Sequence, residues 1–182
     1  MNAYFTSRRA AIVAAVGLLA ALSFSGVAQA ITDTVFRYST PKTGFYSIYH
    51  HALNPLNHFD AVAYLRDFNS GLFNIGTERI CFGTGVNLPH AATLSAVTVF
   101  YKSGGSGNPD FYFGATRLST GVTTLFTRRP ADDTGTLKSV NIPVDPLVIS
   151  NNQNSYAFEA CINPNDAFYS ARITYTYNNA GD

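Results

Sequence analysis

"FYSARITYTY" (168–177) alternates with a period of two. Tyr169, Ala171, Ile173, Tyr175 and Tyr177 fall on one side, and Ser170, Arg172, Thr174 and Thr176 on the other. A strand with one buried and one wet face reads this way, and such strands belong to antiparallel sheets. The same period recurs upstream. "LSAVTVFYK" (94–102) sets Val97, Val99 and Tyr101 together, and "SYAFEACI" (155–162) sets Tyr156, Phe158, Ala160 and Ile162 together. Further strands are expected near 33–39, 44–51, 61–66, 79–87, 111–119, 122–128 and 136–142. Between strands lie the turn signals "NPLN", "DFNSG", "KSGGSGNPD", "ADDTG" and "SNNQN". Helical periodicity is almost absent after residue 31. The expected fold class is all-β, a single antiparallel β-sandwich, with the jelly roll among the topologies that fit.

The first thirty residues read as something else. Arg8 and Arg9 precede an uncharged apolar run, Ala10 to Leu22, and "AQA" ends at Ala30. That is the layout of a secretory signal peptide, and the run is too short to span a bilayer, which takes about 20 residues. The twin arginines lack the rest of the twin-arginine consensus. The expectation is a signal peptide over 1–30 and one β-sandwich domain over 31–182, secreted or periplasmic. Removing Arg8 and Arg9 leaves ten basic against eleven acidic residues, with no basic run. A nucleic-acid partner needs a basic face, so none is expected. No mature segment is long and apolar enough to be a membrane span. Cys81 and Cys161, the only cysteines, are expected to form a disulfide in an oxidising compartment.

The segment "CFGTGVNLPHAATLSAVTVFYKSG" (81–104) resembles a pattern found in a loose group of uncharacterised exported bacterial β-sandwich proteins. That pattern is a cysteine followed by V-x-L-P, then A-T and an alternating strand ending in tyrosine. "HHALNP" (50–55) and "ARITYTY" (171–177) are similar to other parts of the same chains. The resemblance implies the fold and no activity.

Candidate chemistry concentrates in "YHHALNPLNHFD" (49–60), which holds His50, His51 and His58 with Asp60. In a continuous strand His50 and His51 point to opposite faces, so one of them (His51 the favoured one) with His58 and Asp60 would make a two-imidazole, one-carboxylate set suited to Zn or Fe(II). His58-Phe59-Asp60 with His90 resembles the metal set of jelly-roll oxygenases. Those enzymes need a cytoplasmic co-substrate, however, and His90 sits in a turn only 30 residues on. Strand-end histidines bonded to water are the rival reading. "NPND" (163–166), "ADDTG" (131–135) and "VDP" (144–146) offer oxygens for calcium, yet lack a dedicated D-x-D-x-D-G spacing, and turns want the same residues. Ser106, in "GGSG", lacks the strand–elbow–helix context of a nucleophile. No catalytic set and no cofactor is implied. The ten tyrosines and twelve phenylalanines after residue 30 favour binding, with Tyr38, Tyr46, Tyr49, Tyr64, Tyr112 and Tyr175 as candidates for a recognition face. The expected role is non-catalytic, structural or surface-binding, with an extracellular or periplasmic protein or glycan as partner. A carbohydrate-binding module and a small metal-dependent enzyme are the alternatives.

Overall fold

The computed structural model describes residues 36–56, 63–131 and 135–180. The expected signal peptide lies outside them. The strands are Phe36–Tyr49 (β1), Asn54–Pro55 (β2), Tyr64–Asp67 (β3), Gly71–Asn74 (β4), Ile80–Val86 (β5), Thr93–Lys102 (β6), Asp110–Arg117 (β7), Thr123–Arg128 (β8), Lys138–Ile142 (β9), Leu147–Val148 (β10), Asn154–Ile162 (β11) and Ala167–Ala180 (β12). They form two antiparallel sheets. One runs β10-β6-β12-β4-β3, with β1 also on β12 and β9 also on β6; the other runs β2-β5-β11-β7-β8. The central orders β4-β12-β6-β9 and β5-β11-β7-β8 interleave in sequence as the two Greek keys of a jelly roll do. The expected all-β sandwich is what the chain forms.

The core lies between the inner faces. Val97, Val99 and Tyr101 of β6 meet Phe111 and Phe113 of β7, with Tyr156, Phe158, Ala160 and Ile162 of β11, all buried. Those are the residues that the alternation selects. Phe158 packs on Phe168 at 5.6 Å between ring centroids. Two irregularities shift parity. Register breaks between Phe168 and Ser170, so Tyr169 leaves the inner row while Ala171 and Ile173 keep it. A second break lets Leu94 and Val97, three apart, both point inward. Of the segments expected as 33–39 and 44–51, the described residues 36–39 and 44–49 belong to one strand, interrupted by an irregularity between Arg37 and Lys42.

Cys81 and Cys161 form the expected disulfide. They are direct partners on β5 and β11, so the bridge staples neighbouring strands of one sheet. A buried polar joint ties the sheets' ends together. Asp166 accepts the Gly104 N–H at 2.7 Å on one oxygen and the Asn163 N–H at 2.7 Å on the other. Asn74 donates to the Glu78 and Ile162 carbonyls and accepts the Gly76 N–H. The "NPND" loop therefore spends its carboxylate on backbone donors, as a turn does, rather than gathering acceptors for a cation.

Candidate functional site

Strand β1 stops at Tyr49, and His50–Ala52 form a 3-10 turn. The turn corrects the expected strand parity, because it no longer sends the two imidazoles to opposite faces. The His50 and His51 rings lie 4.5 Å apart, with Tyr49 3.9 Å from His50 and Phe68 4.9 Å from His51. His50 is buried, and its Nδ1 lies 3.2 Å from the Tyr169 carbonyl. A carbonyl only accepts, so Nδ1 carries a proton. Burial pushes the His50 pKa below the usual imidazole value, with the charges of His51 and Arg66 adding to it and the Tyr169 bond opposing. His51 is exposed. His58 and Asp60 lie outside the described residues.

His90 belongs to a different end of the fold. It sits between β5 and β6, where its Nδ1 accepts the Asn151 N–H at 3.2 Å, and it lines a hollow with Tyr175. Tyr169 and Tyr175 are separated along β12 by about 20 Å, at roughly 3.3 Å per residue. His50 and His90 therefore do not converge.

What the histidine turn does adjoin is a hollow of about 410 Å³ on the outer face of the seven-stranded sheet. Its floor is a row in register across four strands: Leu65 opposite Phe73, Phe73 opposite Ala167, and Ala167 opposite Lys102. The β3–β4 turn closes one end with Asp67, Asn69 and Ser70, and Tyr169 stands at the parity break of β12. Phe68 leaves the same turn toward His51 and is 79 % exposed. Ser70 donates its hydroxyl to Asp67 at 2.8 Å, and this bond holds the Asp67 carboxyl below the usual carboxylate range. Asp67 is thus an ionised acceptor at neutral pH. The turn depends on Gly71, at φ +77°, where a Cβ would lie 2.5 Å from the Phe168 carbonyl oxygen. An apolar floor with a few convergent polar groups, in a cavity of this size, is the usual make-up of a small-ligand site. In the sequence, "DFNSG" reads only as a turn. The alternation Leu65, Asp67 and the aromatic at Phe73 were the signals that could have placed these side chains together.

The outer face of the other sheet carries Asp110 and Glu159. Asp110, 4 % exposed, is bonded by Arg79 and by Arg129 at 2.5 and 2.6 Å. Burial alone would raise its carboxyl, but the two guanidinium groups outweigh that and hold it below the usual range. Among the described residues, the one cluster of three side chains with metal-ligand spacing is Cys81, Glu159 and Cys161. Both sulfurs are in the disulfide, which removes the thiolates a metal would need. Burial pushes the Glu159 pKa up, with Arg79 opposing.

The candidate tyrosines do not make one face. Tyr177 packs edge-on with Tyr38 and at a tilt with Tyr175, and Tyr46 and Tyr175 pack on the rim of the core. Tyr64 packs edge-on against Phe82 in the core. Tyr49 joins the histidines, and Tyr112 faces outward on β7.

No family model matches the chain, and no curated protein matches it. Among solved structures it is similar to the carbohydrate-binding module TmCBM61 in complex with β-1,4-galactotriose, at 12 % identity and TM-score 0.37, over 81 % of this chain and 97 % of that one. It is also similar to a Podospora anserina GH26-CBM35 β-(1,4)-mannanase, at 12 % identity and TM-score 0.40, over 80 % of this chain and 29 % of that one. Infectious bursal disease virus Gx strain gives 12 % identity and TM-score 0.38, over 79 % and 33 %.

Proposed function

We propose that the chain is an exported, non-catalytic binding domain whose hollow at the β3–β4 turn takes a glycan of a surface or polymer outside the cytoplasm. One observation carries the reading: the four-strand row Leu65–Phe73–Ala167–Lys102, with Tyr169 beside it and the Asp67-Asn69-Ser70 turn at its end. A sugar ring presents an apolar C–H face bordered by hydroxyls. Aromatic and aliphatic side chains cover the former, while an ionised carboxylate, an amide and an ammonium bond the latter. The hollow supplies both kinds of group within one cavity. The exposed Tyr49–His51–Phe68 stack extends the aromatic surface away from it.

A polysaccharide pull-down with the chain from residue 31 tests this. Retention on at least one polymer is expected, and Asp67→Ala should weaken it by on the order of tenfold, the worth of one charge-assisted hydrogen bond. No retention on any polymer counts against the glycan. The metal-dependent alternative has a separate readout. Protein purified without a histidine tag is expected to hold only substoichiometric Zn, Fe, Mn and Cu; one equivalent would instead support His51, His58 and Asp60 as ligands.

A further inference from the structure

The five-stranded sheet ends on β8, and this edge differs from those at β1, β2 and β3. At the sheet's opposite end β2 is two residues long and contains Pro55. On the seven-stranded sheet β1 carries Pro41, Lys42 and a register break, while β3 is four residues long with Arg66 and Asp67. Short strands, prolines, charges and bulges are the devices that keep an edge from pairing with another chain. Strand β8 has none of them over Thr123–Thr127, "TTLFT", and it pairs with β7 without a register break. Leu125 is 54 % exposed, and nearby Val122 and Leu118 are 65 % and 59 % exposed.

The direction of the backbone groups is fixed. The Val122 carbonyl accepts the Arg117 N–H at 2.8 Å, so Val122 is bonded to β7. Alternation then turns Thr124, Phe126 and Arg128 toward β7 and turns the N–H and C=O of Thr123, Leu125 and Thr127 outward. Among the described residues no strand pairs with that outer side.

We propose that β8 pairs antiparallel with β8 of a second copy of this chain, about a two-fold axis at Leu125. The register is self-complementary. Leu125 faces Leu125, and Thr123 faces Thr127 of the second copy, each pair exchanging both backbone bonds. Threonine pairs and an aliphatic pair are favourable neighbours across strands. The one charge at the end of the strand, Arg128, falls opposite Val122 of the second copy. The two Arg128 side chains are kept about 20 Å apart, at roughly 3.3 Å per residue. Two five-stranded sheets thereby become one ten-stranded sheet, and the glycan hollows on the other sheets stay open.

Sedimentation equilibrium and light scattering on the chain from residue 31 test the pairing. A doubling of mass is expected between micromolar and millimolar concentration. Leu125→Lys and Leu125→Glu should each be monomeric, because like charges would meet on the axis, and an equimolar mixture of the two should regain the doubled mass. Leu125 is exposed, so both variants should keep the wild-type circular dichroism. Amide exchange gives a readout without substitution: Thr123, Leu125 and Thr127 should be protected at high concentration and exchange freely at low concentration. A wild-type mass that stays monomeric at millimolar concentration overturns the proposal, and would leave the edge to a strand from a different protein. Dimers that survive both substitutions, or a mixture that fails to recombine, overturn it as well.

Discussion

His50 shows how a single turn redirects a residue's chemistry. Its imidazole is buried under Tyr49 and His51, with one nitrogen on the Tyr169 carbonyl. Its folded-state pKa lies below the free value of about 6.5, so the unfolded chain binds the proton more readily. This group's contribution to stability is therefore complete above about pH 6.5 and is lost as the pH falls through the folded value. Thermal melts between neutral and mildly acidic pH should show a falling midpoint, and His50→Gln should flatten that part of the slope. A slope unchanged in the variant would assign it to other groups. Asp110 works in the opposite chemical sense but the same pH direction. Arg79 and Arg129 depress its pKa, so its contribution is present above about pH 4 and is lost below it. Of the candidate residues, Tyr49 and His51 lie together at one corner, their rings stacked. Strand parity misplaced His50 relative to His51, because a 3-10 turn of three residues is too short to show a period in the sequence.

At the scale of the element, the β3–β4 hairpin decides whether the hollow exists. Gly71→Ala would put a methyl group against the Phe168 carbonyl and force a left-handed backbone onto a residue with a Cβ. A loss of about 1–3 kcal/mol is expected in urea unfolding, together with weaker polymer retention as β4 moves off β12. Full retention in a stably folded variant would separate the hairpin from the site. The long strands were legible because their inner faces are continuous, as at Val97–Tyr101 and Tyr156–Ile162. β2, β4 and β10 were not, for two to four residues give no period to read. The hollow escaped for a related reason. Its floor is built from one residue on each of four strands, and only their register brings Leu65, Phe73, Ala167 and Lys102 into line.

On the scale of the whole molecule, a jelly roll of non-local strand pairs is stapled once, between β5 and β11. The bridge closes a separation of 80 residues. In the chain-entropy model this constrains the unfolded state by about 4 kcal/mol, and native disulfides typically contribute about 2–5 kcal/mol. Chemical unfolding with and without reductant should differ by that amount, and a Cys81→Ala/Cys161→Ala double variant should match the reduced chain. Identical midpoints in both conditions would mean that the sheets hold β5 and β11 without help. The glycan reading depends on this frame only through the site it positions, where the Tyr169 side chain can be removed while its carbonyl still holds His50. The most direct measurement is affinity electrophoresis of wild type and Tyr169→Ala through gels cast with individual polysaccharides. Retardation of the wild type by at least one polymer, relieved in Tyr169→Ala, is the predicted result; equal mobility of the wild type in every gel, or equal retardation of both proteins, would contradict the account.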